Sequence, residues 1–209
     1  DDDTLWIATH NGLSQYHPET DTFTNYNTST GLSHNNIQSV LKVGNDIWVG
    51  TDNGLNVVNL ISNEVSIFAI NSNSTGTNHR WIRSLAHQGN YVWVATWGGG
   101  LNRYDLTLKR FDYFRNNPTN NHSLSSDTVY SVYTTDSNEI WIGTVKGGVN
   151  RFNISCECFD RFNFNDNHEQ LTVPNISEDK ESIWFATSNG LSQFSFSKQQ
   201  FSNYSMLKP

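Results

Sequence analysis

Short apolar runs recur along this 209-residue chain, separated by clusters of Gly, Asn, Asp, Ser and Thr. Residues 37–70 show the unit most plainly. Ile37–Val43 (IQSVLKV) is apolar and β-branched with rough alternation, which predicts a strand. Gly44–Asp46 is a turn signal. Ile47–Thr51 (IWVGT) is a brief apolar run bounded by turns, the pattern of a strand buried on both faces. Asp52–Gly54 (DNG) predicts a second tight turn, with glycine supplying a positive φ. Leu55–Leu60 reads as a third strand, "ISNE" as a turn and Val65–Ile70 as a fourth strand. The unit is therefore expected to be a four-stranded antiparallel meander.

The central phrase returns five times. It reads LWIATHNGLSQY at Leu5–Tyr16, IWVGTDNGLNVV at Ile47–Val58 and VWVATWGGGLNRY at Val92–Tyr104. It returns as IWIGTVKGGVNRF at Ile140–Phe152 and IWFATSNGLSQF at Ile183–Phe194. Trp6, Trp48, Trp93, Trp141 and Trp184 thus recur at a spacing of roughly 40–50 residues, the mark of a propeller or an array of like units. Further first strands are expected at Trp81–His87, Thr128–Thr135 and Leu171–Ser177, the last weakened or bulged by Pro174. The repeat cores fall near residues 5–26, 37–70, 81–114, 128–162 and 171–204. Only four residues precede the first Trp-bearing strand, so the first repeat lacks its opening strand and the total is about 19 strands.

A four-stranded sheet with two apolar faces cannot bury both alone; sheets stacked face to face around an axis do. The expected fold is an all-β propeller of four-stranded antiparallel blades, with residues 1–209 forming one domain or a fragment of one. Each repeated Trp is expected to be a plate between blades. The small residue two positions later (Ala8, Gly50, Ala95, Gly143, Ala186) is expected to leave room for the neighbouring sheet. Composition agrees: hydrophobic residues are only 35% of the chain while aromatic residues reach 13%, so a few large side chains must fill the core. Net charge is −7 and no basic stripe is present, which argues against nucleic-acid binding. No apolar run approaches membrane-spanning length, and no signal peptide is recognisable.

The phrase "IWIGT…GG(L/V)NR(Y/F)", followed by a hairpin and "F…F", resembles the two-component-regulator propeller repeat, as does the link TGLSHNNIQSVLK at Thr30–Lys42. That family occurs in the extracytoplasmic sensor region of bacterial hybrid histidine kinases and related signalling proteins. The resemblance covers the whole chain. It implies a non-catalytic, periplasmic or extracytoplasmic sensing propeller that signals through an output module elsewhere, with a glycan fragment or other small ligand as partner. Family propellers commonly carry seven blades. The resemblance therefore also implies a fragment of a larger sensor, whose open end faces would be covered by further blades, by a homodimer or by closure as a five-bladed ring. A structural or interaction propeller that mediates receptor dimerisation is the alternative reading, and a propeller-fold polysaccharide lyase or hydrolase the second alternative.

Candidate ligand-binding residues sit where the strands repeat and the turns vary. Trp97 breaks the polar character of its turn and is followed by three glycines that would expose it to a sugar ring or partner surface; packing against a neighbouring loop is the other reading. Arg80, Trp81 and Arg83 follow the long link Asn71–Trp81 and suit a carboxylate or sulfate, or else pair with local acidic residues. His10 and Lys146 are further candidates for polar contacts, or plain solvated turn residues. No catalytic constellation and no metal-ligand or cofactor pattern is visible. Cys156 and Cys158 fall in a hairpin turn. They read as a redox or metal pair, or more simply as surface thiols or a local bridge.

Overall fold

The computed structural model describes residues 4–71, 73–162 and 171–205. It contains five antiparallel sheets. The first comprises β1 (Leu5–Thr9), β2 (Gly12–His17) and β3 (Thr22–Tyr26); the second β4 (Ile37–Val43), β5 (Asp46–Thr51), β6 (Gly54–Asn59) and β7 (Val65–Ile67). The third comprises β8 (Ile82–Gln88), β9 (Tyr91–Thr96), β10 (Leu101–Asp105) and β11 (Arg110–Phe114). The fourth holds β12 (Val129–Thr134), β13 (Ile140–Thr144), β14 (Val149–Asn153) and β15 (Cys158–Phe162). The fifth holds β16 (Asn175–Glu178), β17 (Ser182–Thr187), β18 (Gly190–Ser195) and β19 (Gln200–Ser205). Hydrogen-bonded neighbours are always chain neighbours, so every sheet is a meander. The 19 strands described, three in the first repeat and four in each other, match the number expected from the pattern.

Two strands are shorter than the apolar pattern suggests. Leu171–Ser177 is the first strand that Pro174 is expected to weaken or bulge, and pairing with β17 begins at Asn175↔Ala186, immediately after that proline, which has no N–H to donate. The fourth strand of the second repeat ends at Ile67 instead of Ile70. Beyond it the chain folds into the link, where Ile70 bridges Thr77 and the Asn71 N–H donates to the Thr77 carbonyl at 2.8 Å.

The chain divides into two compact units, one of Asp1–Val94 with Arg103–Asp112, the other of Ala95–Asn102 with Tyr113–Pro209. In the first unit the two faces of β5 do different work. Ile47 and Val49 pack into a cluster with Leu13, Tyr26, Leu32 and Ile37. Trp48 points the other way, with Phe68 stacked on it at 5.4 Å and Tyr104 tilted against it at 5.3 Å. In the second unit Trp141 is fully buried and meets Phe185 at 5.5 Å and Phe194 at 5.2 Å. The apolar second strands β5 and β13 are therefore buried on both faces, as their pattern requires.

The small residue after each Trp strand has a measurable role at two positions. A Cβ on Gly50 would lie 2.7 Å from Ile82 Cγ2, on the first strand of the following repeat. A Cβ on Gly143 would lie 2.4 Å from the Val173 carbonyl oxygen. Both distances are closer than carbon atoms tolerate, so the next repeat rests on the glycine backbone. Trp48, Trp93 and Trp141 are buried as expected, but Trp6 and Trp184 are only half-buried and Ala8 is exposed. The reason is local. Among the described residues Trp6 has one ring neighbour, Tyr26 at 5.9 Å, because Val58 stands where other repeats place Tyr104 or Phe194. Trp184 packs on Tyr204, itself half exposed, and donates its indole N–H to Asp179 at 2.6 Å. That indole donor, with backbone N–H groups of Glu181 and Ser182, holds the Asp179 carboxyl below its ordinary range.

Polar residues inside the repeats serve as clips. Asn56 is fully buried; its amide accepts from the Ser33 N–H at 2.8 Å and donates to Ser33 Oγ at 2.9 Å. Asn150 repeats both bonds with Ser125, at 2.9 and 2.7 Å. The Leu-Ser dipeptide of the link is thereby pinned to the third strand. Where the third strand carries Ser14 or Ser192 instead, the hydroxyl donates to Asn25 or Asn203 on the fourth strand. Arg151 of the "NRF" phrase spans β14 and β15 to Asp160 at 3.0 Å, its guanidinium 5.6 Å from the Trp141 ring centre. Arg103 does the same with Asp112 at 2.7 Å, over Trp93 at 5.7 Å.

Trp141→Ala is expected to lower stability by about 3–5 kcal/mol, the range for truncating a buried large aromatic, whereas Trp184→Ala costs clearly less. Urea denaturation of both variants measures the difference, and equal costs would contradict the burial just described.

Candidate functional site

The turns joining second and third strands, with the links that enter the first strands, form the most varied surface of the repeats. Their backbone is nevertheless held in one way. The Thr that ends each second strand donates its hydroxyl to the carbonyl of the Gly opening the third, or just before it. These bonds are Thr9 to Gly12 at 2.7 Å, Thr51 to Gly54 at 2.9 Å, Thr96 to Gly100 at 2.8 Å, Thr144 to Gly148 at 2.9 Å and Thr187 to Gly190 at 3.0 Å. The repeated Thr…Gly spacing is thus a turn lock, and it leaves the residues between them to vary. The links stitch successive turns together. The Gly12 N–H donates to the Asn35 carbonyl at 2.7 Å, and the Asp52 N–H to the Asn36 carbonyl at 3.3 Å.

In the first unit this scaffold gathers a continuous polar chain. His10 Nδ1 lies 2.5 Å from Asn36 Oδ1. The Asn36 amide donates to Asp52 Oδ2 at 2.5 Å, Gln38 Nε2 donates to Asp52 Oδ1 at 3.0 Å, and Arg83 Nη1 donates to Gln38 Oε1 at 3.0 Å. A carboxylate only accepts, so Asp52 orients both amides with their oxygens outward. Asn36 Oδ1 then requires a donor, which makes Nδ1 the protonated nitrogen of His10 and leaves Nε2 the acceptor in the neutral ring. Two expected site residues, His10 and Arg83, are therefore joined through three that the sequence reading did not single out: Asn36, Asp52 and Gln38. Asp52 varies within the repeated turn, and Asn36 and Gln38 alternate along the entry to β4, a signal that pattern analysis could have used.

Arg80 and Trp81 are exposed at the entry to β8 in the same unit. Trp81 is 41% accessible, with the Arg80 guanidinium 5.8 Å from its ring centre and the His79 ring edge-on at 6.2 Å. Arg83 donates to the Gln38 amide oxygen at 3.0 Å, which links it through Gln38 to the Asp52 carboxylate.

Trp97 and Lys146 belong to the second unit. Trp97 is half-buried, not displayed: its ring meets Tyr130 edge to face at 5.6 Å, and its backbone bridges Thr128. The glycines after it do not serve to expose it. Gly98 and Gly100 take positive φ values of 112° and 79°, and both N–H groups donate to the Asp127 carbonyl, folding the turn onto the link. A Cβ on Gly100 would lie 2.2 Å from the Phe114 carbonyl oxygen. The exposed tryptophan among the candidates is thus Trp81. Lys146 is exposed at the next turn, with φ 59°; its own N–H donates to Thr172 Oγ1 at 3.3 Å, and that of Val145 donates to the Thr128 carbonyl at 2.9 Å. The Thr128 backbone therefore holds the Trp97 and Lys146 turns on successive repeats. Among the described residues no group of three or more His, Cys, Asp or Glu side chains is placed to hold a metal ion.

Residues 123–146, the link and first two strands of the fourth repeat, match the family model described as Two component regulator propeller. No curated protein matches the chain. Among solved structures, the chain is similar to the extracellular domain of a proposed hybrid two component system of B. thetaiotaomicron, at 23% identity and a TM-score of 0.81. It is similar to the extracellular domain of another such system from that organism, at 21% identity and a TM-score of 0.78. Each alignment covers 99% of this chain and 27% of the other. PorZ of Porphyromonas gingivalis, a surface component of the type-IX secretion system, aligns over 95% of this chain and 26% of its own at 12% identity and a TM-score of 0.65. This chain therefore spans about a quarter of the length of the structures it resembles. The likeness carries the fold: an all-β propeller architecture of four-stranded antiparallel blades, with a repeat of the two-component-regulator type at residues 123–146.

Removing the carboxylate that orients the polar chain is expected to loosen it. Asp52→Ala is half-buried and deprives both Asn36 and Gln38 of their acceptor, so a cost of about 1–2 kcal/mol in urea denaturation is expected. A cost indistinguishable from zero would mean the chain of bonds does not hold in solution.

Proposed function

We propose that this chain is the ligand-sensing part of an extracytoplasmic receptor of the two-component type, that it acts without catalysis, and that it takes glycan-like ligands. The observation that carries the reading is the first unit's surface. An exposed tryptophan, Trp81, lies beside Arg80 and two residues from Arg83, the end of a pre-formed chain of amide, imidazole and carboxylate groups. A sugar ring stacks on an indole face and takes hydrogen bonds from amides. A carboxylate on an acidic sugar pairs with guanidinium. The match of residues 123–146 and the likeness to extracellular domains support the location and the class of receptor. The output module would lie in parts of a longer protein beyond this segment. Trp97 and Lys146 stand as lesser candidates, Trp97 because Tyr130 covers part of its ring.

Titration calorimetry with neutral and uronic-acid oligosaccharides tests the reading. Binding of an acidic oligosaccharide is expected. Trp81→Ala and Arg83→Ala should each weaken it about tenfold or more, which corresponds to ~1.4 kcal/mol, with the fold intact by circular dichroism. No binding to any member of the panel, or binding indifferent to both substitutions, would overturn it.

A second reading, an interaction surface that brings receptor copies together, is favoured by exposed apolar side chains. On the first repeat Leu5 and Phe23 are 57% and 56% accessible; on the fifth, the cross-strand pair Leu191 and Tyr204 are 48% and 50% accessible, beside half-buried Trp184. Light scattering on a sizing column should then show a dimer or larger species that Tyr204→Asp dissociates. A monomer at all concentrations would exclude this reading.

A further inference from the structure

The turn between third and fourth strands holds one left-handed residue in each of the five repeats. Asp21, Asn63, Lys109, Glu157 and Gln199 each hold a left-handed φ between 50° and 57°. In three repeats this residue's N–H donates to the carbonyl four positions earlier: Asn63 to Asn59, Lys109 to Asp105 and Gln199 to Ser195, at 2.8–2.9 Å. Four of the five turns contain no cysteine, so the turn forms without a disulfide. Its geometry also brings together the side chains on either side of the left-handed residue. Thr20 Oγ1 lies 2.8 Å from Thr22 Oγ1, and Ser62 Oγ donates to Glu64 at 3.4 Å. In the fourth repeat these two positions are Cys156 and Cys158, and their sulfurs are bonded, with the Cα atoms 5.2 Å apart.

The bond adds little to folding, because a closed loop this short removes little entropy from the unfolded chain. The hairpin is already closed by the Asn153↔Cys158 pair of β14 and β15. Cys156 is exposed and Cys158 half-buried, beside Ile154 at 64% accessibility. Exposed disulfides without a structural duty are the exchangeable ones.

We propose that Cys156 and Cys158 form a reversible thiol–disulfide exchange site for low-molecular-weight thiols, operating while the blade stays folded. An external thiolate attacks the exposed Cys156 sulfur. The S–S bond breaks, and its electron pair leaves on Cys158, which takes a proton. A second thiolate then attacks the outer sulfur of the mixed disulfide, releasing the oxidised small disulfide and leaving Cys156 as a thiol. In balance, two external thiols become one disulfide and the protein disulfide becomes two thiols. The turn keeps the two thiols side by side, so the reverse reaction with an oxidised small disulfide is intramolecular in its second step and fast.

The test uses the native chain equilibrated with dithiothreitol at graded ratios of reduced to oxidised form, then alkylated and weighed by mass spectrometry. A single transition from zero to two alkylated cysteines is expected, with circular dichroism unchanged across it. Oxidised glutathione should restore the disulfide. Cys158→Ser should trap one glutathione on Cys156, while the wild type retains none. A Cys156→Ser/Cys158→Ser variant should match the wild type in urea denaturation. Loss of structure on reduction, or a clearly destabilised double variant, would make the bond structural and overturn the proposal. So would a disulfide that reacts only in denaturant, or cysteines already reduced in the air-oxidised protein.

Discussion

Everything in this fold follows from one burial problem. Each repeat has a central strand that is apolar on both sides, and a single sheet has no way to hide both faces. Neighbouring repeats solve it by lending each other a surface. Ile47 and Val49 lean on the first repeat, while Trp48 leans on Phe68 and Tyr104. Trp141 repeats the arrangement with Phe185 and Phe194. The approach is so close that Gly50 and Gly143 carry the next repeat on bare backbone. Where the facing aromatic is missing, as at Val58 opposite Trp6, the plate is left partly open.

Packing between neighbouring repeats frees the turns to differ. The Thr-to-Gly bond fixes the path of each turn, and the buried Asn56 and Asn150 fix the links. His10 and Asp52 lie between these locks, and around them the polar chain from His10 to Arg83 is assembled. Its members come from three repeats, which suits a surface that must be pre-formed before a ligand arrives. The same logic reaches the opposite turns. A shared left-handed residue holds two flanking side chains together, whether they are threonines, a serine and a glutamate, or two cysteines.

Much of this was legible in the chain. Trp6 to Trp184 at near-constant spacing, with apolar runs between turn residues, determined five antiparallel repeats and a first repeat of three strands, because periodicity and turn chemistry are local properties. Pro174 announced the late start of β16 for the same local reason. Which aromatic is displayed was another matter. Trp97, followed by three glycines, reads as exposed, yet it is Trp81 that is exposed, while Tyr130, from another repeat, packs against Trp97. The joining of His10 to Arg83 through Asn36, Asp52 and Gln38 spans 73 positions of chain from residue 10 to residue 83. The sequence alone determined the repeat, its strands and its turns; tertiary structure alone decided which turn residues meet, because side-chain contacts across repeats depend on how the sheets stack and not on any spacing along the chain.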